Sequence, residues 1–219
     1  MPPETEPRLL GKQHTQKKIK ADLKRYCQLA LQLGASGAVI ISAEHVSVDE
    51  RVRLKCLIPR CNRAGETPNC PPNAPDLELF RRAINLYKWA IFFKCDITNI
   101  EDYMPLHGKI KTRKKQPPPF FKKNSEIVDA LERQAYKDGY HLALGLGGGS
   151  CKDYLCLGQP CQFQESGQCH HPLHARPSME AMGIDVVKLI DEAGWQSYAI
   201  LDDLKSTSTA ITVGMVFIY

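Results

Sequence analysis

Trp89-Ala-Ile-Phe-Phe-Lys-Cys95 is an almost unbroken apolar run of aromatic and aliphatic side chains, and it predicts the clearest buried strand of the chain. Working back from it, Asp76 caps a predicted helix running to about Tyr87 through Leu77, Phe80, Ala83 and Ile84. Ala38-Val-Ile-Ile-Ser42 suits a second buried strand, and Val46-Ser-Val-Asp49 and Val52-Arg-Leu-Lys55 suggest shorter, half-exposed ones. From Lys12 the spacing of Ile19, Leu23, Tyr26, Ala30 and Leu33 predicts an amphipathic helix that Gly34 ends. Working forward, Ile127, Leu131 and Ala135 predict a helix from Ser125 to Gly139, and His141-Leu-Ala-Leu-Gly-Leu146 a strand. A helix from Ser178 to Ala193 with Gly194 at its C′ position follows, then strands near Tyr198–Leu201 and Ala210–Tyr219. Helices and strands alternate irregularly, which predicts one α+β domain over residues 12–219 with a mixed β-sheet and flanking helices. Residues 1–11 read as a loose tail, and cysteine-rich metal-binding loops occupy 56–75 and 145–177.

The chain has 219 residues, 43% of them hydrophobic, a net charge of +5 and nine cysteines. Its apolar stretches fall far short of the roughly 20 residues that span a bilayer, so no membrane partner is expected. The opening Met1-Pro-Pro-Glu-Thr-Glu-Pro7 has neither the basic nor the apolar part of a secretory signal. Both readings place the chain in a reducing cytoplasm, where clustered cysteines more often hold metal than each other.

Seven cysteines fall in two sets. Cys151, Cys156, Cys161 and Cys169 have the spacing C-x4-C-x4-C-x7-C, so one loop supplies four thiolates. Structural zinc sites come as two close knuckles separated by a spacer, whereas sulfurs at regular intervals wrap a larger object such as a [4Fe-4S] cluster. The run Gly147, Gly148 and Gly149 ahead of the loop can bring backbone N–H groups close to such a cluster. Cys56, Cys61 and Cys70 form the other set, C-x4-C-x8-C, and leave a fourth position for Cys95, Cys27, a histidine or an exogenous molecule. Cys27 and Cys95 lie among apolar residues and read as core cysteines. His170, His171 and His174 read as groups flanking the ligands. Glu180 and Asp185 fall on the predicted helix that follows and read as solvated carboxylates, Glu180 being accounted for by the helix dipole.

The glycine run lacks both G-x-G-x-x-G leading into a helix and a following Lys-Ser/Thr, which argues against nucleotide binding. Lys109–Lys123 packs seven basic residues around Pro117-Pro118-Pro119 and reads as an exposed loop. One proline-broken basic patch is thin support for nucleic acid and suits better an acidic redox or acceptor protein as partner.

Cys56…Cys61…Cys70-Pro-Pro-Asn-Ala-Pro75 and Cys151…Cys156…Cys161…Cys169-His-His-Pro…Arg176-Pro-Ser-Met-Glu-Ala-Met-Gly-Ile-Asp-Val186 together resemble the cysteine-rich "predicted metal-binding protein" family of anaerobic archaea and bacteria. The resemblance covers roughly residues 35 to 219. Members typically carry a tighter start to the second motif and Cys-Arg-His-Pro at its end, where this chain has His170. The resemblance implies metal or iron–sulfur binding by the seven cysteines and no particular reaction. The leading expectation is therefore a cytoplasmic protein with one or two [4Fe-4S] clusters, for electron transfer or as an accessory to an anaerobic redox enzyme. The alternatives are a metalloenzyme with an open three-cysteine site, no catalytic residue being named, and a zinc-stapled interaction module.

Overall fold

The computed structural model of the chain describes residues 14–97, 119–157, 159–197 and 210–219. The apolar run forms β2 (Trp89–Ile97), which pairs antiparallel with β1 (Gly37–Ser42) on one side and β4 (Ala210–Phe217) on the other. A short β3 (Leu144–Leu146) closes the far edge, giving the order β1-β2-β4-β3. Every pairing of these strands is antiparallel, so the expected mixed sheet is corrected within an α+β fold; the single parallel bridge is Gly147 with Ser178. The strand expected near Tyr198–Leu201, the tail and most of the basic run lie outside the described residues.

The alternation of β2 and β4 sends side chains into two separate cores. Ile91, Phe93 and Val216 pack under α1 (Gln16–Gln32) and α4 (Pro119–Lys137), against Leu23, Ile127 and Leu131. Phe92, Met215 and Phe217 face the opposite layer, which holds α3 (Leu77–Ile84) and α6 (Val186–Glu192). The caps follow from local chemistry. Thr15 accepts from the Lys18 N–H at 3.2 Å, and Asp76 accepts from the N–H groups of Glu78 and Leu79 at 2.9 Å each.

Three segments depart from the sequence reading. Val52–Lys55, expected as strand, instead ends the short helix α2 (Glu50–Leu54), because Asp49 accepts from the Arg51 N–H at 2.8 Å and starts a turn, and of the strand expected at Val46–Asp49 only an isolated bridge from Val48 to Ile184 forms. The helix expected over 178–193 is two pieces. A 3-10 turn at Glu180–Met182 ends at Gly183, whose φ of +73° is left-handed, and Asp185 then caps α6. A side chain at 183 would meet Leu77, Val48 and the Asp49 carbonyl at 3.1 to 3.2 Å, so glycine is needed there for space as well as conformation. The helix expected from Ser125 starts earlier, at Pro119, a residue suited to a first turn. Its Phe120 and Phe121 are buried against Tyr154 and Ala210 rather than lying beside an exposed loop.

α1 and α4 are tied by a polar knot at one end. Arg25 donates to Asp22 at 2.8 Å and Asp138 at 2.6 Å; the Tyr26 and Tyr140 hydroxyls donate to Asp138 and Asp22 at 2.9 and 2.8 Å. Burial opposes ionisation of both carboxyls. The hydrogen bonds from Lys18, Arg25 and Tyr140 to Asp22, and from Gln134, Arg25 and Tyr26 to Asp138, outweigh it and hold both below the usual carboxylate range. A lowered carboxyl contributes stability above the ordinary carboxylate pKa and loses it as pH falls through the folded value. Acid titration of the unfolding midpoint is thus expected to show a loss below about pH 4 that Asp138→Asn flattens, by roughly 1 kcal/mol given that Arg25 is part-exposed.

Candidate metal centre

β4, α6 and the Glu180–Met182 turn present one face to the cysteine loops. All nine cysteines are free thiols. Cys70, Cys151 and Cys161 are buried, Cys56, Cys156 and Cys169 half-buried, and Cys61 exposed. The first loop folds back on itself through turns, with the Cys61 N–H on the Cys56 carbonyl at 2.9 Å and the Gly65 N–H on the Pro71 carbonyl at 2.8 Å. The second loop opens with a 3-10 turn at Cys151–Asp153 and includes α5 (Phe163–Ser166).

The two loops are locked together. The Cys70 thiol and Ser150 hydroxyl lie 3.3 Å apart, and the Asn69 amide donates to the Cys151 sulfur at 3.5 Å. Arg63 donates to Asp153 at 2.5 and 3.0 Å and to Glu66 at 2.8 Å. Lys152 reaches Glu66 at 3.0 Å, and Gln164 donates to the Gly65 carbonyl at 2.8 Å. Local spacing of cysteines gives no sign of these contacts, because most join residues about 90 positions apart.

Each sulfur lies within electrostatic reach of another. Burial pushes the Cys56 thiol up to about 11, and Cys61, Glu180 and Cys70 add to it. Cys151 is also raised to about 11 by burial, against the Asn69 hydrogen bond and with contributions from Cys70 and Cys156. Burial raises Cys156, and Cys161 and Cys169 push it further. The charge coupling links Cys56, Cys61 and Cys70 in the first loop, Cys156, Cys161 and Cys169 in the second, and Cys70 with Cys151 between them. Among the described residues no three of His, Cys, Asp or Glu are gathered tightly enough to hold one metal ion, so the donors are spread over two loops rather than caged around a point.

Donors aimed at sulfur come from unexpected places. The Arg63 N–H reaches the Cys61 sulfur at 3.4 Å and the His171 N–H the Cys169 sulfur at 3.3 Å, each two residues beyond its cysteine. Such N–H groups orient the sulfur and, where a metal is bound, tune it through the ligand. The glycine run works differently from expectation. The Gly147 N–H is taken by the Pro177 carbonyl and the Gly148 N–H by Asn124 Oδ1, both at 3.0 Å, which leaves these two donors spent inside the fold. The run instead needs its lack of side chains. A Cβ at 148 would stand 2.6 Å from the Thr212 hydroxyl, and one at 149, where φ is +71°, 2.8 Å from the Phe121 ring. Asn124 is fully buried, and its Nδ2 has no partner among the described residues.

The remaining candidates are placed as follows. Cys95 is buried in the layer under α1 and α4, where burial raises its thiol to about 11 and the neighbouring charges are Lys123 and Asp96; Cys27 is raised to about 11 by burial alone. Both keep their reading as core cysteines. His174 pairs with Asp129 of α4 at 3.1 Å. Asp185 is the cap of α6. Glu180 is a correction: it is not a solvated helix carboxylate but lines a cavity beside Cys56, and burial raises its carboxyl above the ordinary range. Alkylation of metal-free protein at neutral pH should accordingly modify exposed Cys61 first and buried Cys95 and Cys151 slowest, the latter two accelerating as pH rises toward 11; mass spectrometry of the labelled peptides measures the order.

The donor chemistry fits a thiolate-bound metal centre. Seven sulfurs on two cross-linked loops, three of them accepting N–H bonds, suit ligands that must be deprotonated and oriented. Residues 39–218 match the family model described as "Predicted metal-binding protein (DUF2284)". No curated protein and no solved structure matches the chain. No helix of the described residues is long and apolar enough to cross a membrane.

Proposed function

The chain belongs to that predicted metal-binding family, and from this premise we propose that its seven clustered cysteines hold one or two [4Fe-4S] clusters, serving electron transfer or an anaerobic redox enzyme in the cytoplasm. The observation that carries the reading is the cross-linking of the two loops at Cys70–Ser150 and Asn69–Cys151, which makes one continuous sulfur set. Cys151, Cys156, Cys161 and Cys169 would hold one cluster; Cys56, Cys61 and Cys70 would hold a second with a position left for another ligand. A cluster bound there supplies one-electron chemistry.

The protein's own groups set its surroundings. Arg63, held by Asp153 and Glu66, fixes the approach of the loops. The amides of Arg63 and His171 and the Asn69 side chain hold charge on sulfur. Phe121 and Tyr154 cover the glycine side and limit water. An acidic redox or acceptor protein is the partner proposed for the chain's basic surface. Anaerobic purification, iron and acid-labile sulfide analysis and EPR of the reduced protein test the reading; near-stoichiometric sulfide with a reduced-cluster signal is expected. Zinc without sulfide overturns it in favour of a zinc-stapled module.

A further inference from the structure

The loop of Cys56, Cys61 and Cys70 opens onto a cavity of about 450 Å³, within the range of small-molecule sites. Its lining combines these sulfurs, Ser150, Ser178 and Glu180 with the apolar side chains of Val186 and Ile190 of α6 and Ile211 and Val213 of β4. These four apolar residues belong to one hydrophobic cluster, whereas Cys70 pairs with Ser150. A metal held by the thiolates would lie beside the sulfurs, and the apolar wall would be left to a ligand's body. Among the described lining residues Arg63 is the one cation, and it is already bound to Asp153 and Glu66. An anionic ligand therefore finds no uncommitted positive side chain in this lining, while an apolar body finds a ready wall.

We propose that this cavity binds a small uncharged molecule with an apolar body, its body against Val186, Ile190, Ile211 and Val213 and its donor end directed at the three-cysteine set. The placement of the donor end rests on the metal-centre reading; contact with the apolar wall does not. The position left by three cysteines is thus filled by the ligand rather than by Cys95 or Cys27, which pack in the opposite layer.

The test uses tert-butyl isocyanide, an uncharged probe with an apolar body and a soft donor atom, and trimethylacetate, which carries the same body on an anion. Each is titrated anaerobically into the full chain with its Ile and Val methyls isotopically labelled, and iron and sulfide are measured on the same sample. Saturable shifts of the Ile190, Ile211, Val186 and Val213 methyls with the isocyanide, and none with trimethylacetate, are expected. Ile211→Trp, at a half-buried wall position, should abolish the shifts. Nuclear Overhauser contacts between the tert-butyl protons and these methyls in the unaltered protein provide the same readout without a variant. Absent contacts, or equal response to the anion, overturn the proposal. Iron and sulfide without contacts sink the cavity and leave the cluster; contacts without iron or sulfide sink the cluster and leave the cavity.

Discussion

Arg63→Met is expected to destabilise the cysteine loops by about 3–5 kcal/mol, as for other buried ion pairs broken by removing one member. Arg63 and Asp153 are 13% and 10% exposed, and the guanidinium meets Asp153 through two nitrogens. Glu66 keeps Lys152 when Arg63 is lost, whereas Asp153, one turn from Cys151, loses two guanidinium hydrogen bonds. The effect is therefore centred on the second loop although the substitution is in the first. Hydrogen exchange should show protection falling across residues 145–157, and the metal content of both cysteine sets should drop together. The double variant Arg63→Met, Asp153→Leu separates charge from shape: with both charges replaced by apolar groups, much of the loss should be recovered. No recovery in urea denaturation would mean that the pair's hydrogen-bond geometry, and not the unpaired charge, holds the loops.

Phe92→Ala is expected to cost about 3–5 kcal/mol, as for other fully buried aromatic truncations. Phe92 is 0% exposed and stacks on Trp195 at a centroid distance of 5.1 Å. It belongs to the same cluster as Met179, Met182 and Ile190, the residues that seat the Glu180 turn and α6. The cavity wall thus rests on this ring. Ile40→Ala on β1, 37% exposed, should cost well under 1 kcal/mol and serves as the control. Equal midpoints for the two variants in chemical denaturation would contradict the layer assignment.

The elements that were legible in the sequence are those whose periodicity and caps agree. β2 and β4 are long apolar runs, α1 has a clean amphipathic stripe, and Asp76 announces α3. The misread segments have weak local signals overridden by packing. Val52-Arg-Leu-Lys55 alternates like a strand, yet Asp49 and the docking of 50–54 beside Glu180–Met182 make it helical. Gly183 looks tolerable inside a helix until Leu77 and Val48 are seen pressed against it. At the site, the clustered cysteines could be picked out by residue type and spacing. Their meeting could not, since Arg63, Asn69, Ser150 and Asp153 are ordinary polar residues whose roles depend on contacts across some 80–90 positions. The amides of Arg63 and His171 are invisible for a different reason: any residue has a backbone N–H, and only the turn aims it.

The strand order β1-β2-β4-β3 has a temporal meaning. β4 is the last described element in chain order, yet it lies between β2 and β3 and supplies Thr212 and Val213 beside the cysteine loops. While a ribosome is still extending the chain, both cysteine loops emerge before the strand that joins the two halves of the sheet. The sulfurs of a nascent chain are consequently exposed on an unclosed scaffold, and metal loading belongs after synthesis of residues 210–217 rather than during it.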